Sequence, residues 1–127
     1  MRIASVKAVI AGLLLLCGTV STAVAADKVA LKSLQVKTNL RAGVPYAVTL
    51  PISVTGNVRI INACFYWSWE GPYCFDVRHN RTRSQLELKL RTDNPNTYEL
   101  KGYVQYNVGG RKKVMQSNQK SKTIHVK

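Results

Sequence analysis

Residues 58–77 read VRIINACFYWSWEGPYCFDV and carry the clearest indication of the fold. Residues 58–67 form a run of apolar, β-branched and aromatic residues that is typical of a β-strand. Residues 73–77 return from it across a Glu-Gly-Pro bend at 70–72. We therefore predict a β-hairpin that displays aromatic side chains, including both tryptophans of the chain.

The N-terminus is typical of an export signal. Basic residues precede an apolar run at 8–16, and Ala23-Val24-Ala25 supplies small residues for cleavage. We predict a signal peptide at 1–25, cleavage near Ala25-Ala26, and a periplasmic or secreted domain at 26–127. The apolar run is shorter than the ~20 residues that span a bilayer. No later stretch approaches that length, so we expect no transmembrane segment in the mature chain.

Two cysteines would remain after cleavage, because Cys17 leaves with the signal peptide. In an oxidising compartment, the default for Cys64 and Cys74 is a disulfide. His79 and His125 are the only histidines, and neither has metal-site spacing to the cysteines. We therefore expect a disulfide-tied hairpin and no metal.

The mature sequence consists of strand-like segments separated by turns. Clean alternation at 46–54 and 86–90 predicts strands with one wet face, and further strands are predicted at 31–36, 98–108 and 123–126. Seven short strands in about a hundred residues predict an all-β fold, a single immunoglobulin-like or fibronectin-type antiparallel sandwich. A small barrel is the alternative.

Three local features carry further expectations. Pro51 cannot donate to a strand ladder, which predicts an edge strand or a bulge there. An apparent change of phase predicts a bulge at Gly102. The polar residues 116–122 give no strand signal.

The segment 98–106, YELKGYVQY, resembles the penultimate strand of immunoglobulin-like domains. In such domains a tyrosine near the start of this strand often hydrogen-bonds to the backbone just upstream. The resemblance implies this role for Tyr98.

The mature chain is strongly basic. It holds all six acidic and seventeen of the nineteen basic residues, a net charge near +11, which favours anionic partners. Because sandwich connections alternate between the two ends, two basic loops should meet at one end. We predict anion binding there by Arg78, Arg81, Arg83, Arg111, Lys112 and Lys113.

The hairpin bend should lie at the opposite end, near the turns at 41–43 and 93–96. Trp67 is the candidate for a buried tryptophan. Tyr66, Trp69 and Tyr73 are candidates for recognition, because such rings give a large contact area at little entropic cost.

No pattern of catalytic residues accompanies these features. Neither histidine is paired with a nucleophile motif, and Gly-x-Ser-x-Gly and His-Glu-x-x-His patterns do not occur. We expect no enzyme activity and no cofactor.

The leading hypothesis is a small exported binding module of the bacterial envelope. It would recognise an anionic glycan, lipopolysaccharide or an envelope protein through a basic end and an aromatic hairpin. One alternative is a structural or accessory subunit of a surface appendage or secretion apparatus. A second is a non-specific nucleic-acid binder. The sequence leaves the oligomeric state open.

Overall fold

The computed structural model describes residues 27–80 and 82–127. The predicted signal peptide and Arg81 lie outside the described residues. The described part is folded into nine strands and no helix: β1 Lys28–Leu31, β2 Asn39–Leu40, β3 Tyr46–Thr55, β4 Val58–Trp67, β5 Glu70–Asp76, β6 Gln85–Leu90, β7 Asn96–Val108, β8 Met115–Gln116 and β9 Lys120–Val126.

The strands form two sheets. One has the order β1-β3-β6, and the other has the order β2-β9-β7-β4-β5, with β8 beside β7. All pairings are antiparallel except that of β2 with β9. The predicted all-β, immunoglobulin-like sandwich is confirmed. Nine strands are present instead of seven because the two-residue strands β2 and β8 were not predicted.

The core lies between the inner faces of the sheets. Val48, Leu50 and Ile52 of β3 alternate with exposed or half-buried neighbours, as a strand with one buried face requires. Phe65 of β4 and Leu100 of β7 face them from the larger sheet and are fully buried. Apolar burial between the sheets is therefore the main stabilising contribution.

The prediction for Pro51 was wrong, because β3 is the central strand of its sheet. Ile52 donates its N–H to Ser84 on the β6 side, so the Pro51 nitrogen faces the β1 side. There Pro51 accepts from the Lys32 N–H, one residue beyond the end of β1. The missing donor thus falls where the ladder already ends.

The bulge predicted at Gly102 was also wrong. Tyr98, Leu100, Gly102 and Val104 keep one phase along β7, and the register shift lies in β4, between Ile60 and Asn62. A Cβ at Gly102 would lie 3.1 Å from the Phe65 ring. Gly102 therefore provides space for a core ring and leaves the ladder regular.

The first strand was predicted at 31–36, but β1 ends at Leu31 and only Gln35 bridges to Thr49 beyond it. The polar segment after β8 is ordered by hydrogen bonds. Asn118 Oδ1 accepts from the Leu31 N–H and Asn118 Nδ2 donates to the Leu31 carbonyl, both at 2.8 Å. This amide covers the outer edge of β1.

In residues 27–80 and 82–127 no helix has the length and apolar character needed to cross a membrane.

Candidate functional site

The β4–β5 hairpin is fixed by the predicted disulfide. Cys64 and Cys74 are directly opposite in the strand register and are joined by an S–S bond. The register shifts between Phe65 and Trp67, and Ser68 adopts a positive φ of 58° at the turn. The disulfide joins β5, at the sheet edge, to the buried Cys64 of β4. It therefore restricts the movement of β5 and of its side chains. The disulfide fits a protein of an oxidising compartment.

Trp67 is the half-buried anchor of the aromatic end, which we define as the hairpin bend with the turns at 41–43 and 91–94. Its indole Nε1 donates to Thr92 Oγ1 at 2.9 Å and lies 3.2 Å from Tyr46 Oη. The Tyr46 and Thr92 hydroxyls are 2.7 Å apart. Three side chains from both sheets thus satisfy one another, as buried polar groups must.

Beside Trp67 lies a cleft of about 630 Å³, here called the aromatic cleft. One wall is β5 with the hairpin bend, and the other is the segment that follows β6. Its lining consists of Trp67, Glu70, Pro72, Tyr73, Cys74, Phe75, Arg91, Thr92, Asp93, Asn94 and Tyr98. The sequence prediction that the hairpin bend and the 93–96 turn share one end agrees with this lining.

The rings of β5 are exposed although they point to the inner face of the sheet. Tyr73 is opposite the inward-facing Phe65 in the register, yet it is 54% exposed. Phe75 is 38% exposed, with its ring centroid 6.1 Å from that of Phe65. The smaller sheet ends at β6 and leaves the inner face of β5 uncovered. The hairpin therefore presents a continuous aromatic surface to the cleft.

The three aromatic candidates do not form one group. Tyr73 packs against Trp67 with ring centroids 5.9 Å apart, and Trp69 at the bend is 89% exposed. Tyr66 lies on the outer face, where its ring centroid is 6.3 Å from that of Tyr103. Burial raises the pKa of Tyr103, and Tyr66 adds to the shift. Tyr66 thus packs beside the disulfide and away from the cleft.

Phe75 was missed as a site residue, although alternation along β5 places it on the same face as Tyr73. Thr92 and Tyr46 were also missed. Their hydrogen bonds with Trp67 join residues that are 25 and 21 positions apart, and no local pattern marks such pairs.

Tyr98 makes the corner contact that the resemblance implied. Its hydroxyl donates to the Asn94 carbonyl at 2.7 Å. This bond ties the start of β7 to the turn that forms one wall of the cleft.

The charges at the cleft are mixed. Arg91 Nε and Asp93 Oδ1 form an ion pair at 2.9 Å, exposed to solvent. Glu70 is exposed at the start of β5. Within a basic protein, the cleft thus carries two carboxylates and one guanidinium.

The basic end, defined by the turn at 55–57 and the loops at 78–83 and 109–113, is opposite. Arg83 Nη2 donates to the Gly56 carbonyl at 3.3 Å, and the Gly109 N–H donates to the Asn57 carbonyl at 2.8 Å. Both basic loops therefore flank one turn, as predicted. The candidate residues described there are exposed: Arg78, Arg83, Arg111, Lys112 and Lys113.

The histidines are both exposed. His125 Nδ1 lies 3.1 Å from Thr97 Oγ1 across β9 and β7, and His79 lies in the basic end. In the described ranges, no group of three or more histidine, cysteine, aspartate or glutamate side chains could hold a metal ion.

No protein-family model matches the chain, and no curated protein matches it. Among solved structures, the chain is similar to the PKD domain of an M14-like peptidase from a Thermoplasmatales archaeon. The TM-score is 0.49 at 14% identity, covering 80% of this chain and 98% of that chain. The strands and sheets themselves define the fold.

Proposed function

We propose that this chain is an exported, non-enzymatic binding module, and that the aromatic cleft takes a basic side chain of a partner protein. The main support for this proposal is the exposure of Tyr73 and Phe75 beside Trp67 on an inner sheet face. Exposed aromatic surface at a concave site is typical of interfaces.

The site is pre-organised for binding. The disulfide fixes β5, and the hydrogen bonds of Trp67 with Thr92 and Tyr46 fix the ring at the base of the cleft. Rigid rings lose little side-chain entropy on association, so more of the contact energy contributes to affinity.

The chemistry of the cleft favours a cationic group. Aromatic faces attract lysine or arginine side chains. Since Arg91 and Asp93 pair with each other, Glu70 leaves one carboxylate in excess at the cleft. Repulsion from the distant basic end is screened at physiological ionic strength over about 8 Å. A lysine or arginine on a partner protein therefore fits both the rings and the charge.

The test uses the immobilised mature chain, residues 26–127, with its disulfide intact. Envelope extract is applied at low salt and again at ~0.5 M salt, where exposed ion pairs are strongly screened. We compare the native protein, Tyr73→Ala, and the control Val114→Ala, which truncates an exposed apolar side chain outside the cleft. We expect a discrete protein to be retained by the native and control chains and lost from Tyr73→Ala. Equal retention by all three chains would contradict the proposal.

The edge strand favours a second candidate, an assembly subunit. β5 is the last strand of its sheet and all seven of its residues are exposed. An exposed edge is able to pair with a strand of a neighbour. Concentration-dependent sedimentation at micromolar protein would favour this candidate.

Binding of nucleic acid stays a prediction, and only the net positive charge supports it. It predicts DNA binding without sequence preference whose affinity falls steeply with salt. A fluorescence titration with duplex DNA at two salt concentrations tests it.

A further inference from the structure

Three of the arginines that the structure describes line one small pocket at the basic end. The pocket has a volume of about 230 Å³ and lies between β4 and the connector from β5 to β6. We call it the arginine pocket. Its lining consists of Val58, Arg59, Ile60, Arg78, Asn80, Thr82 and Arg83.

The backbone brings the connector against β4. The Val77 N–H donates to the Ile61 carbonyl, and the Asn80 N–H then donates to the Val77 carbonyl, closing a turn. Asn80 Oδ1 accepts from the Thr82 N–H at 2.9 Å. The loop that carries two of the arginines is therefore fixed beside Arg59 on β4.

Two of the guanidinium groups are oriented by hydrogen bonds. Asp76 contacts Nε and Nη2 of Arg78, at distances down to 2.6 Å, and does not contact Nη1. Arg83 Nη2 donates to the Gly56 carbonyl. Each of these arginines thus keeps further N–H donors for a ligand, since a guanidinium carries five.

The pocket has excess positive charge. Hydrogen bonds from Arg78 lower the pKa of Asp76 to about 2, so this carboxylate stays ionised and paired with Arg78 at neutral pH. Arg59 and Arg83 then contribute two further positive charges, both exposed. Guanidinium groups grip tetrahedral oxyanions in a bidentate manner, and such an anion would relieve their mutual repulsion.

We propose that the arginine pocket binds a phosphate monoester, with Arg59, Arg78 and Arg83 as the recognising side chains. This site is separate from the aromatic cleft. It also narrows the predicted anion-binding end to one pocket, which includes Arg59 and leaves out Arg111–Lys113. Those residues are not part of the pocket: Arg111 and Lys113 line another one, with Asp27 and Met115. The small volume admits the phosphoryl group and leaves the rest of the ligand outside.

The test is an NMR titration of the mature chain with glucose 6-phosphate, with inorganic phosphate as a second probe and glucose as the uncharged control. We expect saturable shifts of the backbone amides of residues 59, 78, 80, 82 and 83 with both phosphates and none with glucose. Losing a charge-assisted hydrogen bond costs at least ~1.5 kcal/mol, or about tenfold in affinity. Arg59→Gln should therefore weaken glucose 6-phosphate binding about tenfold or more.

The matched control is Arg111→Gln, which removes the same charge from the same end outside the pocket. We expect it to change the affinity less than about twofold, because an exposed charge at that site acts only through the screened field. Equal weakening by Arg59→Gln and Arg111→Gln would overturn the proposal, as would the absence of saturable shifts in the native chain. Both arginines are exposed, and thermal unfolding checks that both variants are folded.

A second arm distinguishes soluble from lipid-borne phosphate. Phosphatidylcholine vesicles with and without phosphatidic acid are sedimented with the native chain and with both variants. Recruitment by phosphatidic acid that Arg59→Gln abolishes and Arg111→Gln retains supports a lipid source. Binding of glucose 6-phosphate without recruitment supports a soluble ester. Recruitment that Arg59→Gln leaves unchanged overturns the lipid source. None of these results bears on retention by the aromatic cleft, so the two proposals fail separately.

Discussion

The indole Nε1 of Trp67 donates to Thr92 Oγ1 at 2.9 Å and thereby joins the two sheets at the aromatic end. Tyr46 completes the group through its hydroxyl, 2.7 Å from that of Thr92. The half-buried ring is held in one orientation, with Tyr73 packed on it from the edge strand. Sheet packing and the geometry of the cleft therefore depend on the same few atoms.

Replacing Thr92 by valine keeps the shape and removes the hydroxyl. Thr92 is 7% exposed, so Trp67 and Tyr46 lose a buried partner. We expect the free energy of unfolding to fall by about 1–3 kcal/mol, measured by urea denaturation. The control Thr123→Val lies on the exposed side of β9 and should change it by less than ~0.5 kcal/mol. Equal effects of both variants would contradict the role of Thr92.

Removing the disulfide should loosen the hairpin as well as destabilise the protein. For Cys64→Ala/Cys74→Ala, the chain-entropy model predicts a loss of about 2.5 kcal/mol for a loop of this size, measured by urea denaturation. Because β5 is an edge strand, its amides should also exchange faster with solvent than those of β7. Unchanged exchange in β5 would show that the disulfide does not hold the cleft wall.

The Asn118 side chain should contribute more to the free energy of unfolding than its exposed position indicates. Its amide makes two hydrogen bonds with the Leu31 backbone, so Asn118→Ala leaves both groups of the edge strand without that partner. We expect a loss of about 1–2 kcal/mol in the free energy of unfolding and faster exchange of the Leu31 amide. The exposed neighbour Gln119 provides the control as Gln119→Ala, which should change neither quantity. Similar effects of the two variants would refute the proposed edge cover.

Asp76 should contribute to the acid sensitivity of the fold. Hydrogen bonds from Arg78 lower its pKa from 3.8 to about 2. A depressed carboxyl pKa gives stability that is present above pH 3.8 and is lost as the pH falls towards 2. Thermal unfolding between pH 2 and pH 6 should show a weaker decline for Asp76→Asn than for the native chain. Glu87→Gln, the same change on the exposed face of β6, should keep the native decline. Identical pH profiles for Asp76→Asn and the native chain would contradict this role.

The sequence predicted most of the strands and both ends of the sandwich from local patterns. β4 was predicted with its observed bounds, 58–67, because a long β-rich run ends at turn residues on both sides. β3 was wrongly predicted as an edge or bulged strand. The sequence shows that Pro51 lacks an N–H donor, but it does not show which neighbouring strand the Pro51 nitrogen faces. The phase change at Gly102 was a misinterpretation of the pattern, because the apolar residues on either side of it, Leu100 and Val104, lie on the same face of β7.

The candidate sites were predictable only in part. Opposite ends follow from alternating connections, so the separation of aromatic and basic loops was foreseen. The exposure of Phe75 was not, because it depends on the smaller sheet ending at β6. Arg59 was missed because its proximity to Arg78 depends on the hydrogen bond from the Val77 N–H to the Ile61 carbonyl, which joins residues distant in the sequence.

Site-specific photocrosslinking in the envelope would show directly whether the aromatic cleft is the recognition site. A benzophenone amino acid is placed at position 69, where the tryptophan side chain is 89% exposed at the hairpin bend, or at position 114 as the exposed control. We expect one discrete protein adduct at position 69, lost when Tyr73→Ala is added, and no such adduct at position 114. The same adducts at both positions, or an adduct at position 69 that survives Tyr73→Ala, would contradict this role of the cleft.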